Sequence, residues 1–321
     1  MKKISKYLLD NTAIIGLIFI VIIGALANPV FIKLGNISNL LRSASLVGIL
    51  AIGMTFVILC GSIDLSVGSV FALAGYFFIK FGETSPILAL TIPLVVGFFL
   101  GSLNGVLVTK LKIPAFIGTL AMMMFARSLV LIFSKEVTTT ARNLPGFLKM
   151  IGRGTVFGFF PMPFIILVGL VIIFTYILKK FPFGRAFYIV GGNMDAAAMM
   201  GVSVEKTLFA AHLLSSMLAA LGGIVFASRV GSAQPLAGTG YEMFAIASVV
   251  IGGAQLSGGV GKVSGSFLGA LIMGSFTNIF SMQKLMNAVW QNAVIGLILL
   301  VIIVLQSTFS ISMFDKKTRK G

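Results

Sequence analysis

Gly61-Ser62-Ile63-Asp64-Leu65-Ser66 interrupts a long hydrophobic run in the first third of the chain. Gly252-Gly253-Ala254-Gln255-Leu256-Ser257 interrupts another in the last third. Each stretch combines glycine with polar side chains where the flanking sequence is mostly apolar. Paired, glycine-broken hydrophobic segments point to a transport pathway in a polytopic membrane protein. The two stretches predict an all-α transmembrane helical bundle with short or broken helices near Gly61–Ser66 and Gly252–Ser257.

The composition of the 321-residue chain is that of a membrane protein. Hydrophobic residues make up 58% and charged residues 10%, whereas soluble domains carry about 25% charged residues. The single cysteine, Cys60, excludes an internal disulfide, and the single histidine argues against a histidine metal centre. The net charge of +16 does not indicate a nucleic-acid partner, because the basic residues lie between apolar runs rather than in one cluster.

The hydrophobic runs predict one transmembrane domain over residues 1–321. A spanning helix needs about 20 mainly apolar residues, and about ten runs meet or approach that length. The runs are Thr12–Phe31, Ser43–Cys60, Val67–Phe81, Pro86–Thr109, Pro114–Phe133, Phe159–Leu178, Thr207–Ser228, Glu242–Gly261, Val263–Ser281 and Ala288–Ser307.

The distribution of lysine and arginine predicts the orientation. An even number of spans places both termini on the same side of the membrane. Basic residues are more frequent in the segments on that side, so we expect it to be the cytoplasm. The segment Ser134–Gly158 does not agree with this topology, because it is basic although the topology places it on the outer side of the membrane. The first run could instead be a cleaved signal peptide ending near Ala25-Leu26-Ala27, but it is longer than a usual signal core. An uncleaved first helix is favoured.

No catalytic constellation is found in the sequence. Gly258-Gly259-Val260-Gly261-Lys262-Val263 resembles a phosphate-binding loop. However, Leu256 occupies the place of its first glycine, and Val263 that of its serine or threonine. We therefore expect a chain that is not an enzyme and binds no metal or cofactor. Any use of ATP and magnesium is expected on a partner subunit.

A few ionisable residues fall within or beside the spans, and such residues are functional candidates by default. His212 is explained by a hydrogen bond between helices, and Arg127 by reaching the outer membrane interface. Asp64 can cap a helix that restarts at Leu65, or it can line the pathway. These two roles for Asp64 are compatible, and the sequence leaves both open.

Three stretches of the sequence form a set of motifs. They are Gly61–Ser69, Lys112–Leu120 and Ala247–Gly253, the last continuing through Leu256–Gly261. Together they resemble the permease subunits of bacterial ATP-binding-cassette importers for ribose, xylose, galactose and galactofuranose. The signature of that family, Gly-Gly-Ile-Asp-Leu-Ser-Val-Gly-Ser, differs from this chain at Ser62. The resemblance covers nearly the whole chain and implies a multi-pass permease of the bacterial inner membrane that imports a monosaccharide.

A fourth stretch lies in a basic segment at about residues 179–206, which is expected in the cytoplasm. Permeases of such importers carry a short coupling helix, with an acidic-Ala-Ala-x-x-x-Gly pattern, that docks on the ATPase. This chain resembles that pattern, with Asp in place of the more usual Glu. The resemblance implies a coupling role for Asn193, Asp195, Ala196, Ala197 and Gly201. Gly201 can end the helix in a left-handed turn.

The resemblance also implies the partners of the chain. They are ATP-binding-cassette ATPase subunits, an extracytoplasmic sugar-binding protein, a second identical or related permease, the sugar (a pentose or hexose, possibly in furanose form) and membrane lipid. The two glycine-broken stretches give the predicted pathway residues Gly61, Ser62, Asp64, Ser66, Gly252, Gly253, Gln255 and Ser257. Polarity inside the spans adds possible sugar contacts at Asn104, Asn278, Gln291 and Asn292.

Two alternatives stay open at this point. Within the same family, the substrate could be a nucleoside, a branched-chain amino acid or a signalling furanose. Outside it, the chain could be a secondary carrier that works without an ATPase or a binding protein.

Overall fold

The computed structural model describes residues 12–282 together with residues 290, 293–297, 300, 301 and 304. Helices dominate this part of the chain, and its short strands form two antiparallel pairs, β1 with β4 and β2 with β3. In chain order the elements are α1 (Thr12–Ala27), α2 (Leu34–Leu59), α3 (Val67–Gly82), α4 (Pro86–Thr109), α5 (Ala115–Ser134), β1 (Thr139–Thr140), α6 (Gly146–Arg153), β2 (Thr155–Val156), β3 (Phe160–Pro161), α7 (Met162–Lys180), α8 (Pro182–Gly192), α9 (Met194–Met199), α10 (Val204–Val230), β4 (Ser232–Ala233), α11 (Tyr241–Ile251) and α12 (Val263–Met282).

Six of the described helices are long and apolar enough to cross a membrane, namely α2, α4, α5, α7, α10 and α12. Three shorter apolar helices, α1, α3 and α11, fall on three more of the predicted runs, although α11 covers only the first half of Glu242–Gly261 and the rest of that run is the loop before α12. The last run, Ala288–Ser307, lies mainly outside the described residues. The predicted helical bundle is confirmed, and the count of about ten spans stays a prediction.

Local sequence signals fix several helix ends. Ser85 precedes Pro86 at the start of α4, and its side chain accepts a hydrogen bond from the backbone N–H of Leu88. The Ser203 side chain caps α10 in the same way by accepting a hydrogen bond from the backbone N–H of Lys206. These are the residue types that satisfy the free N–H groups of a first turn. α10 ends at Gly231, whose φ of +79° lies in the left-handed region where glycine is favoured.

The centre of the bundle is formed by α2, α3 and α10, whose side chains are largely buried within the protein. In α4, α5 and α7 most side chains are exposed or half-buried, as in helices that face lipid. α4 approaches α10 closely at Gly97, where an added Cβ atom would lie 2.6 Å from Ala220, and at Gly101, where it would lie 2.8 Å from Ser216. Small residues permit such close packing of helices in lipid.

The connecting segments gather at the two ends of the bundle. Residues 135–161 lie near the start of α2 and the end of α10, where Ser38 Oγ donates to Phe159 O at 3.2 Å and Arg153 Nε donates to Arg229 O at 2.7 Å. Residues 181–203 lie at the other end, where α7 finishes and α10 begins. We call the first the loop end and the second the coupling end.

Candidate translocation site

The first glycine stretch forms a buried break between α2 and α3. α2 ends at Leu59, and Gly61 turns the chain with a φ of +68°, in the left-handed region. α3 begins at Val67 rather than at the expected Leu65. Asp64 is fully buried within this break. A carboxylate therefore lies inside the helical bundle, where an uncompensated charge is costly.

Asp64 satisfies the backbone of the break through one oxygen of its carboxylate. Its Oδ1 accepts from the backbone N–H of Ser66 at 2.9 Å and from the hydroxyl of Ser66 at 2.6 Å. An Asp side chain that accepts from the N–H two residues further on is a common way to start a turn or helix. Asp64 thus holds the entry to α3, and its role in the pathway stays a prediction.

A chain of side-chain hydrogen bonds ties the break to α4 and α10. Asn104 Nδ2 in α4 donates to Ser66 Oγ at 2.9 Å. Ser62 Oγ lies 3.0 Å from Nε2 of His212 in α10. All of these residues are buried. The fold therefore places the predicted site residues Ser62, Asp64, Ser66 and Asn104 in one region, and it adds His212, the sole histidine of the sequence.

This region, which we call the polar cluster (Ser62, Asp64, Ser66, Asn104 and His212), keeps unused hydrogen-bonding capacity. Asp64 Oδ2, Asn104 Oδ1 and His212 Nδ1 have no hydrogen-bond partner among the described residues. Buried polar atoms are normally partnered by protein or by water. The cluster can therefore accept further hydrogen bonds from water or from a hydroxylated solute.

The second glycine stretch forms a loop at the coupling end, between α11 and α12. Gly253 and Gly258 have φ values of +91° and +90°. The loop closes on itself, because Gln255 N donates to Val260 O and Gly258 N donates to Gln255 O, both at 3.0 Å. The side chains of Gln255 and Ser257 are exposed. Apart from Gly252, which packs closely against Gly265 of α12, this stretch contributes mainly turns and surface.

A third break, which the sequence motifs did not identify, joins β4 to α11. Arg127 in α5 donates from Nη1 to the backbone carbonyls of Pro235 at 2.7 Å and Ala237 at 2.8 Å. Non-helical backbone within a membrane protein needs such internal partners. Arg127 is thus a donor inside the protein rather than a side chain extended to the outer interface. The proline and glycines of residues 234–240 were the available signal.

The remaining predicted sugar contacts are not in the polar cluster. Asn278 of α12 pairs with Asn36 near the start of α2, through reciprocal amide hydrogen bonds of 2.9 and 3.0 Å. That pair lies toward the loop end, far along α2 from Gly61. Gln291 and Asn292 lie outside the described residues. A contact between sugar and any of these three side chains stays a prediction.

The predicted coupling segment contains a short, well-capped helix, α9. The Asn193 side chain accepts from the backbone N–H of Ala196 at 2.9 Å and so caps its start. Gly201, with a φ of +78°, follows its last turn in the left-handed conformation. The helix and its glycine end were both expected from the sequence.

The two faces of α9 differ in exposure. Ala197 is fully buried against the bundle, whereas Asp195 and Ala196 are exposed. Met199 is 89% exposed and Met200 is 70% exposed. Ala197 therefore seats α9 on its own protein, the opposite face presents Asp195 and Met199, and the exposed Met200 follows at the C-terminal cap. Such adjacent exposed apolar side chains are typical of interaction surfaces.

A cavity of about 260 Å³ lies beside α8 at the coupling end, lined by Thr175, Leu178, Lys179, Tyr188, Lys262, Val263 and Ser264. Burial raises the pKa of the Tyr188 phenol above its ordinary value. The hydroxyl is therefore protonated at neutral pH and donates to Gly261 O at 3.0 Å. Among the described residues there is no group of histidine, cysteine, aspartate and glutamate side chains that could hold a metal ion.

Comparisons with known proteins agree with the motifs. Residues 36–303 match the family described as branched-chain amino acid transport system / permease component. The chain is 40% identical over 307 residues to the ribose import permease protein RbsC of Bacillus subtilis, covering 95% of this chain and 92% of that protein. It is 39% identical over 303 residues to RbsC of Haemophilus influenzae, with 93% of each covered. It is 35% identical to the fructose import permease protein FruG of Bifidobacterium longum, with 98% and 95% covered. No solved structure matches the chain.

Proposed function

The chain belongs to the branched-chain amino acid transport system / permease component family, and from that premise we propose that it is the membrane-spanning permease subunit of an ATP-driven, binding-protein-dependent monosaccharide importer. The observation that carries this proposal is the 35 to 40% identity, over nearly the whole chain, to permeases named for ribose and fructose import. The six long apolar helices agree with an integral protein of the inner membrane. The chain is a translocation subunit rather than an enzyme.

ATP hydrolysis takes place on a separate ATP-binding-cassette subunit in this proposal. The support is chemical, because Leu256 and Val263 replace residues that a phosphate-binding loop needs. The ATPase docks on α9, where Met199 and Met200 are exposed beside Asp195. Ala197 holds α9 against the bundle, so a movement of the docked ATPase reaches the permease through this helix.

The outer partners act at the loop end. We assign to this end the docking of the extracytoplasmic sugar-binding protein, for which Arg142 and Lys149 are available in the 135–161 segment. A second permease, identical or related, completes the pathway. About ten crossings, with both termini in the cytoplasm, place the coupling end and its basic residues inside, as the positive-inside rule requires.

The polar cluster is the part of the pathway that a sugar passes in this proposal. A sugar presents hydroxyl groups that both donate and accept: the unpartnered oxygens of Asp64 and Asn104 accept from them, and Nδ1 of His212 donates or accepts according to the tautomer of the ring. Gly61 and the glycines of the second stretch supply the backbone turns beside it.

A monosaccharide is favoured over the other substrates of the family. The relatives cited are named for ribose and fructose, whereas the family description names branched-chain amino acids. A nucleoside, a branched-chain amino acid or a signalling furanose is therefore the second candidate class.

The experiment is uptake into proteoliposomes that contain the chain, its ATPase and its binding protein. Radiolabelled ribose, xylose, fructose and galactose are compared with leucine and adenosine, each with and without internal ATP. We expect ATP-dependent uptake of at least one sugar and none of leucine or adenosine. Uptake of leucine or adenosine alone would reject the monosaccharide class and leave the permease assignment in place.

A further inference from the structure

Three backbone segments meet at the coupling end with glycine at each contact. They are the end of α2 (Leu59–Gly61), the end of α8 (Gly191–Gly192) and Gly258–Gly259, which follow the second glycine stretch in the loop between α11 and α12. Gly259 N donates to Leu59 O at 2.9 Å. We call this contact of three segments the glycine junction.

Gly191 makes the closest backbone contacts in the glycine junction. A Cβ atom at position 191 would overlap the carbonyl oxygen of Leu59 and would lie 2.5 Å from Gly259 N. The contact is reciprocal, because a Cβ at Gly258 would lie 2.8 Å from both Gly191 O and Gly61 N. Backbone therefore touches backbone, and no flexible side chain lies between the segments to absorb a movement.

A hydrogen bond fastens α8 to the same loop from a second point. The hydroxyl of Tyr188 donates to Gly261 O at 3.0 Å. Tyr188 lies about one helical turn before Gly191 on α8, so the two residues are on the same face of the helix. Both contact the loop between α11 and α12. A displacement of α8 must therefore displace the loop or break this bond.

The junction also lies between two functional parts of the chain. Asn193 alone separates the end of α8 from the start of α9. On the other side, Gly61 is followed at once by the buried break that contains Asp64. A continuous path of covalent bonds and tight backbone contacts thus runs from α9, through Gly191, to the polar cluster.

We propose that the glycine junction transmits the movement of the docked ATPase to the break at Asp64, with Gly191 as the positioning residue. The inference rests on the proposed function, because it assumes an ATPase docked on α9. A shift of α9 pulls α8, and α8 shifts Leu59–Gly61 and the second glycine stretch together. One displacement of α8 in this way moves both glycine-broken stretches.

The test compares Gly191→Ala with Gly192→Ala in the reconstituted importer. Position 192 is the matched control, because a Cβ there meets nothing within 4 Å. Four quantities are measured: co-purification with the ATPase, basal ATP hydrolysis, hydrolysis stimulated by the sugar-loaded binding protein, and sugar uptake. We expect Gly192→Ala to match wild type. We expect Gly191→Ala to keep assembly and basal hydrolysis while uptake and stimulation fall about tenfold, the size of a typical coupling between linked sites.

A conservative second variant covers the outcome in which Gly191→Ala does not insert. Tyr188→Phe removes only the hydroxyl that donates to Gly261, and Tyr176→Phe, on the exposed face of α7, is its control. We expect Tyr188→Phe to lower the maximal rate of uptake several-fold at unchanged basal hydrolysis. Wild-type uptake and stimulation in Tyr188→Phe, and in Gly191→Ala where it inserts, overturn the junction. A wild-type complex that imports no sugar rejects the proposed function instead.

Discussion

The two glycine-broken stretches look alike in sequence but differ in what they hold in the fold. In the first, Gly61–Ser66, the three polar side chains (Ser62, Asp64 and Ser66) are buried, and the carboxylate of Asp64 is hydrogen-bonded to Ser66. The second, Gly252–Ser257, is a surface loop whose polar side chains, Gln255 and Ser257, are exposed. Glycine marks where a helix is interrupted, whereas the side chains between the glycines decide whether the interruption is internal.

The difference follows from how each stretch satisfies its backbone. In the first, Asp64 Oδ1 takes the place of a missing backbone acceptor inside the bundle. In the second, the loop turns back on itself between Gln255 and Val260, and water can reach the rest. In the first stretch, we therefore expect the largest effects on stability and uptake from substitutions that remove a polar side chain. In the second, we expect them from substitutions of a glycine whose backbone conformation other residues rarely adopt.

The largest effect is expected for Asp64→Leu. The substitution leaves the backbone N–H and the hydroxyl of Ser66 without their acceptor, and each unmet buried group costs about 1–3 kcal/mol. We expect the purified variant to aggregate at a much lower temperature than wild type, and uptake to be lost. The measurement is thermal aggregation followed by size-exclusion chromatography.

Asp64→Asn is the control for that substitution, because asparagine keeps an oxygen that can accept from the Ser66 N–H, as both residue types do in such turns. Near wild-type stability with poor uptake assigns the charge itself to the pathway. Full uptake in Asp64→Asn leaves Asp64 with the structural role alone. Unchanged stability in Asp64→Leu would contradict the role of Asp64 in holding the turn before α3.

The next effect is expected for Gly258→Ala, directly after the second stretch in the same loop. Alanine is strained at a φ of +90°, and its Cβ would crowd Gly191 O and Gly61 N at 2.8 Å. We expect a loss of about 2 kcal/mol or more in stability, since left-handed backbone alone costs roughly 1–2 kcal/mol. Gly253→Ala, with a φ of +91° but open space around its Cβ, bears the strain alone. Equal effects in the two variants would show that the crowding contributes nothing.

A smaller effect is expected for Asn104→Ala. The substitution removes one donor to Ser66 Oγ, while the bond of that hydroxyl to Asp64 remains. A neutral hydrogen bond contributes about 1 kcal/mol, so we expect a modest fall in thermal stability. A fall as large as that of Asp64→Leu would mean that Asn104, rather than Asp64, holds the break together.

The smallest effect is expected for Gln255→Ala and Ser257→Ala. Both side chains are exposed, and surface substitutions away from special features stay within about 0.5 kcal/mol. Stability and uptake should equal those of wild type in the same assays. A strong loss of uptake at normal stability would contradict the difference between the two stretches, because the second stretch would then act through its side chains.

The sequence was sufficient for the features that depend on local pattern. Run length and polarity placed the apolar helices, because spanning requires a minimum apolar length. The acidic-Ala-Ala pattern and Gly201 located α9 and its left-handed end. The position of Asp64 after Gly61 predicted an N-cap for a helix restarting at Leu65, which is wrong: α3 begins at Val67, its N-cap Ser66 has no side-chain cap hydrogen bond, and Asp64 instead holds the turn before the helix by accepting from Ser66.

The features that depend on contacts between distant segments could not be predicted. Arg127 meets Pro235 and Ala237 more than a hundred positions away, and no local periodicity carries that information. The burial of Ala197, which turns one side of α9 toward its own bundle, depends on packing in the same way. The contact of Gly191 with Leu59 joins α8 to the far end of α2.

The central claim is that this chain moves sugar only when a partner hydrolyses ATP. It is tested most directly by sugar uptake into proteoliposomes that contain either the chain alone or the chain with its ATPase and binding protein. Each preparation is given an imposed proton gradient, an imposed sodium gradient, or internal ATP. We predict uptake in the complete complex with ATP and in no other condition. Gradient-driven uptake by the chain alone would contradict the account and identify a secondary carrier.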